Sequence, residues 1–351
     1  MRKISNEKDS IKKISELKKN YGKKLIILTH HYQRKEIIDL GDYRGDSFGL
    51  SQTAAKDNDA EHIVFCGVHF MAESAAILAK PNQTVQIPDM DAGCWMADMA
   101  DTIMVEKAWN EVIEITGKNC ITPLVYMNSD AYIKAHCGRN GGAVCTSSNA
   151  SLAFKWAFNK REKIFFFPDQ HLGRNTGNHL GIPSTEMMFW DSDKPLGGNT
   201  RDDIKNARVI LWKGHCLVHS RFTVDMMHQK RKEFPGAVIV VRPECTEAVV
   251  NLSDAVGSTS FIVNYVKDAS KESTIIIGTE INLIKRLKIE YPDKNIMSLH
   301  DSLCPNMYKI NLENLLWTLE NLGRTNIVTV EKEIAKDAMK ALNNMLSLSS
   351  Q

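Results

Sequence analysis

The chain carries an internal threefold repeat, and this feature constrains its fold more than any other. Each copy reads as a strand with a polar end, a helix, a turn of small hydroxyl residues, a second helix, a strand and a cysteine. The copies begin at LIILTHHYQ, PLVYMNSD and AVIVVRPEC, and they end at Cys94, Cys216 and Cys304. Self-similarity at a fixed period indicates one structural unit used three times. The sequence therefore predicts three related domains whose cysteines converge on a common centre.

The hydroxyl-rich turns mark the period of the repeat. They read GDS, CTSSN and GSTS, and the serines compared between them are Ser47, Ser147 and Ser258, which recur at a nearly constant spacing. The stretch from serine to cysteine is longer in the second copy, and residues 175–201 account for the difference. We interpret these residues as an insertion that forms a surface or lid element.

The alternation of strands and helices predicts the fold class. Strands alternating with helices indicate parallel βαβ units and α/β domains with three layers. The predicted strands are the short apolar runs LIIL, HIVFC, TPLVYM, KIFFF, RVILW, AVIVV and STIII. Helical patterns lie between them, among them TAAKDNDA, MAESAAILAK, SLAFKWAFN, TEAVVNLSDAV and INLIKRLKIEY. We expect three pseudo-threefold-related αβα domains with short parallel sheets.

The predicted domain boundaries follow from the repeat. The first domain covers residues 1–107, the second 108–222 with the insertion near 175–201, and the third 223–305. Residues 306–351 carry two amphipathic helical patterns, which we expect to pack on the first domain.

Composition excludes several classes of function. The net charge of +2, without a basic stripe, gives no indication of nucleic-acid binding. The apolar runs are too short to span a bilayer, and the lysine-rich N-terminus lacks the apolar core of a signal peptide. We therefore expect a cytoplasmic protein that binds neither nucleic acid nor membrane. In that reducing compartment its eight cysteines are not explained by disulfides.

The cysteine pattern indicates a metal site assembled from distant parts of the chain. No CxxC, CxxxCxxC or HExxH motif is present, so zinc ribbons and zincins lack their local signatures. Cys66 ends an apolar strand and is predicted to be a core residue. The set Cys94, Cys216 and Cys304 remains, and three protein ligands leave one coordination position open for catalysis.

Polar side chains follow the predicted strands at the end where α/β domains bind ligands. The residues in question are His30, His31, Tyr32, Tyr126, Asn128, Asp169, His171, Arg242 and Glu244.

The hydroxyl-rich turns allow two interpretations. They cap helices, or their backbone N–H groups hold the anionic groups of a substrate in a shared pocket. His215 and His219 flank Cys216 and are placed to line the same pocket.

Many ordered motifs make the chain similar to the quinolinate synthase family along nearly its whole length. They are HHYQ (30–33), GDS (45–47), FCGVHFMAE (65–73), DAGC (91–94), VYMNS (125–129), CTSSNA (145–150), PDQHLGRNT (168–176), GHCLVH (214–219), PEC (243–245), GSTS (257–260), GTEINLI (278–284) and CPNM (304–307). No single motif is as specific as the set.

The resemblance implies a fold, a cofactor and a reaction. It implies three α/β domains around one central [4Fe–4S] cluster per chain, held by Cys94, Cys216 and Cys304. It implies a transferase of the EC 2.5.1 class that condenses iminoaspartate with dihydroxyacetone phosphate to quinolinate for NAD biosynthesis, with loss of phosphate and water. A functional link to an aspartate oxidase or dehydrogenase that supplies iminoaspartate would follow.

The resemblance also implies roles for individual residues. Substrate-binding roles are expected for His30, Tyr32, Ser47, Tyr126, Asn128, Ser147, Ser258 and Thr259, with His219 beside the cluster. Glu244 is the expected general acid or base, and Tyr32 and His30 are its expected catalytic partners. One position departs from the family pattern, which usually reads His-Pro-Glu where this chain has Arg242-Pro243-Glu244. Arginine is always charged, so Arg242 is expected to bind an anionic substrate group rather than to act as a base.

Two other functions compete with this interpretation. A hydro-lyase with an open iron site would share the three thiolates but would need no phosphate pocket. An iron–sulfur electron carrier or sensor would need a fourth ligand, for which Cys66 or Cys145 is available.

Overall fold

Three parallel sheets organise the molecule, as the repeat predicts. The computed structural model describes residues 6–56 and 59–348. With the strands of each sheet numbered along the chain, the first and third sheets have the order 2-1-3-4 and the second has the order 2-1-3-5-4, and every pairing in these sheets is parallel. Helices flank the sheets, which confirms the predicted α/β class with three layered domains. No helix in the described ranges combines the length and apolar character needed to cross a membrane.

The first repeat contains the four-stranded sheet β1–β4. Its strands are β1 Leu25–His30, β2 Tyr43–Gly45, β3 His62–Cys66 and β4 Thr84–Gln86. Its helices are α1 Glu7–Tyr21, α2 Lys35–Ile38, α3 Ser47–Lys56, α4 His69–Leu78 and α5 Trp95–Asp98. Only the first four residues of the predicted helical pattern TAAKDNDA lie in α3. Asp57 and Asn58 fall outside the described residues, and Asp59 and Ala60 are not helical. Every residue of β1 is buried, as expected for a strand with helices on both faces.

The second repeat contains five strands because its insertion adds one at the sheet edge. Its strands are β5 Ile121–Tyr126, β6 Ala143–Cys145, β7 Lys163–Phe167, β8 Met187–Trp190 and β9 Val209–Trp212. Its helices are α6 Thr102–Thr116, α7 Ala131–Arg139, α8 Ala150–Lys160, α9 Gln170–His179 and α10 Arg201–Asn206. The segment at 175–201 supplies β8, which pairs with β9. The insertion thus extends the sheet.

The third repeat has the same strand order as the first. Its strands are β10 Val238–Val241, β11 Ala255–Val256, β12 Thr274–Gly278 and β13 Asn295–Ser298. Its helices are α11 Val224–Glu233, α12 Glu247–Asn251, α13 Thr259–Asp268, α14 Ile281–Glu290 and α15 Pro305–Tyr308. The helix predicted over TEAVVNLSDAV is too long, because it ends at Asn251 and the pattern continues into β11.

The last two helices pack on different repeats. Helix α16 (Leu312–Glu320) lies against α1 of the first repeat, whereas α17 (Lys332–Leu348) lies mainly against α7 and β6 of the second. Gly138 permits the close approach of α17, because a Cβ at this position would overlap the carbonyl oxygen of Asp337. The buried face of α17 joins the large hydrophobic core.

The sheet register shows which residues of the three repeats are equivalent. His30 pairs with Gly45 and Tyr126 pairs with Cys145, while Val241 pairs with Val256 one step before Arg242. His30, Tyr126 and Arg242 therefore occupy the same place at three strand ends.

The same register applied to the turns corrects one alignment made from the sequence. Gly45 lies opposite His30, Cys145 lies opposite Tyr126, and Gly257 follows the pair that places it opposite Arg242. Ser47, Ser147 and Thr259 each lie two residues after one of these positions and are therefore equivalent. Ser258 instead corresponds to Asp46 and Thr146. The repeat comparison that equates Ser258 with Ser47 and Ser147 is thus off by one residue.

Candidate active site

A cavity with about 970 Å³ of empty volume lies where the strand ends and turns of the three repeats meet. Its wall includes Cys94, Cys216 and Cys304, one from each repeat. It also includes these side chains expected to serve in binding or catalysis: His30, Tyr32, Ser47, Tyr126, Asn128, Ser147, His219, Arg242, Glu244 and Thr259. Thirteen predicted site residues from three separate segments of the chain therefore share one cavity.

The three cysteines share one local structure. Each begins a single helical turn in which its carbonyl oxygen accepts the N–H of the residue four positions later. The N···O distances are 3.1 Å for Asp98 to Cys94, 3.0 Å for Ser220 to Cys216 and 3.1 Å for Tyr308 to Cys304. This common geometry supports the equivalence of the cysteines in the repeat. It also directs backbone N–H groups towards each sulfur, which favours the thiolate form.

A buried ion pair lies between Arg242 and Glu244 on the cavity wall. Nη2 of Arg242 lies 2.7 Å from Oε1 of Glu244, and the two side chains are 5% and 1% exposed. Tyr126 donates its hydroxyl hydrogen to the same oxygen at 2.6 Å. The other oxygen, Oε2, is buried and has no hydrogen-bond partner among the described residues. A buried acceptor without a partner is available to a substrate or water molecule.

The chain resembles known proteins along nearly all of its length. Residues 12–347 match the family described as Quinolinate synthetase A protein. The chain belongs to the quinolinate synthase family.

Its relatives include curated proteins named Quinolinate synthase. The protein of Bacillus velezensis is 50% identical over 342 residues, which cover 96% of this chain and 92% of that protein. The protein of Geobacillus kaustophilus is 50% identical over 338 residues, which cover 95% and 91%. The protein of Bacillus cereus strain G9842 is 48% identical over 349 residues, which cover 98% and 94%.

The cysteine set has the donor chemistry that the family's predicted cluster requires. Soft thiolates bind iron–sulfur clusters, and hydrogen bonds to the sulfurs are part of how proteins tune them. In the described part of the chain, no three His, Cys, Asp or Glu side chains are grouped to hold a single metal ion. A cluster offers a different iron to each cysteine, so its ligands need not converge on one point. Three thiols on the wall of one cavity match the donor set that such a cluster needs.

Burial keeps these cysteines protonated in the absence of metal. Burial raises the pKa of Cys94 to about 12 and that of Cys304 to about 11, while the pKa of Cys216 lies well above its ordinary value. Charge repulsion among the three sulfurs contributes to the shifts of Cys94 and Cys216. Thiolates must form before iron binds, so cluster assembly would release protons here.

Two buried carboxylates lie beside the cysteine-bearing loops of the second and third repeats. Asp169 caps α9 through Oδ1, and its Oδ2 is buried without a hydrogen-bond partner among the described residues. Glu280 caps α14 and accepts the N–H of Cys304 at 3.4 Å. Burial raises the pKa of each carboxyl to about 8. The sequence identified Asp169 only as a polar strand end, and the role of Glu280 was missed.

Opposing effects set the pKa of each member of the Arg242–Glu244 pair. Burial is the largest influence and raises the pKa of the Glu244 carboxyl, but the positive charge of Arg242 and the hydrogen bond from Tyr126, acting with smaller effects, together hold the pKa below its ordinary value. Burial likewise disfavours the charged form of Arg242, while the Glu244 carboxylate raises the pKa well above its usual range. Both groups are therefore charged at neutral pH.

The guanidinium group of Arg242 joins all three repeats. Nη1 donates to Tyr32 of the first repeat and to Thr259 of the third, while Nη2 donates to Ser147 of the second at 3.0 Å. With Glu244 also bound, four partners surround the two terminal nitrogens. Nε is buried without a partner among the described residues. The anion-binding role of Arg242 stays a prediction, and only this Nε–H is free for it while the four bonds persist.

Asn175 of α9 fixes the loop that carries Glu244. Its Nδ2 donates to the carbonyl oxygens of Pro243 and Cys245, at 2.8 Å each. Because these carbonyls flank Glu244, one amide group from the second repeat orients the backbone on both sides of the carboxylate.

The hydroxyl of Tyr32 lies in a buried network. It is 2.9 Å from Oγ1 of Thr279 and 3.4 Å from Nε2 of His219. Burial raises the pKa of Tyr32 above its ordinary value, so the hydroxyl stays protonated. Burial lowers the pKa of His219 to about 3, so this imidazole is neutral.

His30 is also a neutral hydrogen-bonding group. Burial lowers its pKa to about 3. Its Nδ1 accepts the backbone N–H of Tyr32 at 3.2 Å, which leaves the proton on Nε2. His30 can therefore donate a hydrogen bond into the cavity.

Ser258 is the expected substrate-binding residue that does not line the cavity. It is buried and caps α13, where its hydroxyl accepts the N–H of Phe261 at 3.2 Å. The helix-capping alternative thus describes Ser258, whereas Ser47, Ser147 and Thr259 face the cavity. A direct role of Ser258 in binding substrate remains a prediction.

The cavity also includes residues that the sequence did not single out. Asp46 and the exposed Arg221 are the charged ones, and Asn306 is a further polar one. Arg221 stands five positions after Cys216, and no motif marks it. The Asp46 position was detectable, because it precedes Ser47 in the first hydroxyl-rich turn. Cys66 and Cys145, the available fourth ligands for an electron carrier, are buried in strands and are not part of this wall.

Proposed function

We propose that the chain condenses iminoaspartate with dihydroxyacetone phosphate to quinolinate, with loss of phosphate and water. The observation that carries this proposal is the single cavity shared by three equivalent cysteines and the buried Arg242–Glu244 pair, in a member of the quinolinate synthase family. The reaction would make the chain a transferase of the EC 2.5.1 class, and its product would enter NAD biosynthesis.

Cys94, Cys216 and Cys304 would hold one [4Fe–4S] cluster. When bound by three cysteines, such a cluster supplies a Lewis-acidic iron with an open position. The remaining chemistry falls to the side chains of the cavity.

Glu244 is the proposed base of the tautomerisation and dehydration steps. Its Oε1 is occupied by Tyr126 and Arg242, which leaves Oε2 to accept a proton from substrate. A carboxylate beside a fixed guanidinium stays ionised and therefore starts the reaction in the form that accepts a proton. Tyr32 remains protonated and can donate to an oxygen that leaves as water.

Hydroxyl groups and helix N-termini are suited to the anionic groups of the two substrates. Ser47 and Thr259 begin α3 and α13, and the positive end of a helix dipole favours carboxylate or phosphate there. His30 can add a hydrogen bond from Nε2, and Arg221 adds a positive charge. Together these groups would neutralise two carboxylates and one phosphate.

The proposal is tested with protein purified without oxygen and analysed for iron and sulfide. Iminoaspartate would be generated in the assay by an aspartate oxidase, the class of enzyme expected to supply it. We expect quinolinate, detected by mass spectrometry, and equimolar phosphate. A cluster-loaded sample that forms no more quinolinate than a cluster-free control would overturn the proposal. Turnover without phosphate release would instead favour the hydro-lyase alternative.

A further inference from the structure

A second side chain, the carboxylate of Asp46, joins the three repeats at the cavity wall without being part of the Arg242 network. Oδ2 of Asp46, in the turn of the first repeat, accepts a hydrogen bond from Ser148 of the second at 3.0 Å. The same oxygen accepts one from Ser260 of the third at 2.8 Å. We call Asp46, Ser148 and Ser260 the serine latch.

The serine latch runs parallel to the Arg242 network. Ser147 and Thr259 bind Arg242 inside the cavity, and the next residue in each turn, Ser148 or Ser260, binds Asp46. In each of these two turns, one hydroxyl therefore binds a positively charged guanidinium and the next binds a negatively charged carboxylate. Ser148 and Ser260 are not part of the cavity wall, and Ser148 is exposed, so the latch lies nearer to solvent.

The position of Asp46 is unexpected for a site that receives anions. A carboxylate on the cavity wall repels carboxylates and phosphates unless its charge is compensated. Oδ1 accepts the N–H of Gly49 at 2.9 Å, and Oδ2 accepts both serine hydroxyls. These hydrogen bonds outweigh burial and hold the pKa of Asp46 below its ordinary value. Both oxygens of the carboxylate thus have partners, Oδ1 within the first repeat and Oδ2 in the turns of the other two.

We propose that Asp46 is a positioning residue, which holds the turns of all three repeats together so that Ser47, Ser147 and Thr259 face the substrate cavity. The kinetic part of this inference rests on the proposed function, whereas the structural part does not. The latch consists of hydrogen bonds from two hydroxyls to one carboxylate oxygen, so it can open and close without any covalent step.

Three variants separate the latch from the local helix cap. Ser148→Ala with Ser260→Ala removes the bonds between repeats and leaves the cap on Gly49 intact. Asp46→Ala removes both. Asp46→Asn keeps a capping oxygen, and its amide can donate to both serine hydroxyls, which also accept. Ser253→Ala is the matched control, because the hydroxyl of Ser253 bonds to the carbonyl oxygen of Val250 within its own turn.

Hydrogen–deuterium exchange of the cluster-loaded, substrate-free enzyme is the first measurement. In the double serine variant we expect exchange to rise about tenfold over residues 45–51, 146–151 and 257–262, the effect of losing roughly 1.4 kcal/mol from closure. Asp46→Asn and Ser253→Ala should exchange like the wild type. Wild-type exchange in the double serine variant would overturn the latch.

Steady-state kinetics then test positioning. The double serine variant should raise KM for dihydroxyacetone phosphate by a larger factor than it lowers kcat, whereas the single variant Asp46→Asn should show a smaller change in KM. Unchanged KM despite faster exchange would overturn the positioning role. A wild-type enzyme that makes no quinolinate would refute the proposed function, and the exchange measurement would still decide the latch.

Discussion

Arg242 and Glu244 project from the end of one strand, two residues apart, and form a buried ion pair with an N···O distance of 2.7 Å. The resemblance predicts His-Pro-Glu at this position. Removing one partner of a buried ion pair leaves an uncompensated charge, and this costs about 3–5 kcal/mol. Arg242 and Glu244 should therefore be coupled in both stability and catalysis.

Glu244→Gln keeps the shape of the side chain and removes its titration. We expect kcat to fall by about 10²- to 10⁴-fold, the usual contribution of a positioned acid or base. Quinolinate should still bind, as measured by the change it causes in the cluster spectrum. Glu247→Gln is the control, because Glu247 lies on the surface of α12, where it binds Asn178. Near-normal kcat in Glu244→Gln would remove this residue from the mechanism.

Arg242→Met should act through Glu244. Without the guanidinium, burial dominates and the pKa of the Glu244 carboxyl rises, so the acid limb of the kcat profile should move to higher pH. Because the Glu244 pKa is depressed in the native state, the pair stabilises at neutral pH. That stabilisation is lost as pH falls through the depressed pKa.

Arg242→His restores the residue usual in the family and should keep more activity than Arg242→Met. The comparison needs kcat and KM of both variants across a range of pH. A higher KM in Arg242→Met with an unmoved acid limb would show that Arg242 binds substrate and does not act through Glu244.

Serine substitution of Cys94, Cys216 or Cys304 should abolish the cluster and the activity together. A hydroxyl replaces the soft thiolate at each site, and the other two cysteines cannot compensate. Iron and sulfide analysis with visible spectroscopy is the measurement. Cys120→Ser and Cys137→Ser serve as controls and should keep the cluster, since neither residue is part of the cavity wall. Full iron content with normal turnover in Cys216→Ser would contradict the ligand assignment.

Gly138→Ala should destabilise the contact between α7 and α17. The added Cβ would overlap the Asp337 carbonyl, so two helix backbones must separate. We expect the free energy of unfolding to fall by about 1–3 kcal/mol, as for other overpacked sites. Gly49→Ala is the helical control, because its Cβ would meet only Asp46 Oδ1 at 3.5 Å. A denaturant titration that ranks Gly138→Ala as more stable than the control would contradict this packing.

Mild acid should weaken the fold through its buried histidines. Burial lowers the pKa of His31 from 6.5 to about 3. Between these values the unfolded chain binds a proton that the native chain does not. The free energy of unfolding therefore decreases as the pH is lowered, by at most about 1.4 kcal/mol per pH unit for this group. His31→Gln should reduce the slope of unfolding free energy against pH between about 6.5 and 5. Its amide oxygen can still accept from Arg286, the partner of His31 at 3.0 Å. An unchanged slope would exclude His31 as a contributor.

Local pattern in the sequence determined the long strands and the threefold repeat. The seven apolar runs all form strands, because a strand covered by helices on both faces must be apolar along its length. Among the described residues, the six other strands have only two to four residues each, too few to show a period. They form because the neighbouring strand and the βα connection hold them in place.

Only the tertiary structure decided how distant residues combine. Arg242 contacts Tyr32 and Ser147 across separations of 210 and 95 residues, and no local pattern records such contacts. A shift of one residue at Ser258 and Thr259 decides which hydroxyl lines the cavity, and strand register fixes that choice. The sequence therefore determined which residues carry the chemistry, because side-chain type and spacing are local properties. Packing of three repeats determined their charges and partners, because burial and proximity exist only in the folded chain.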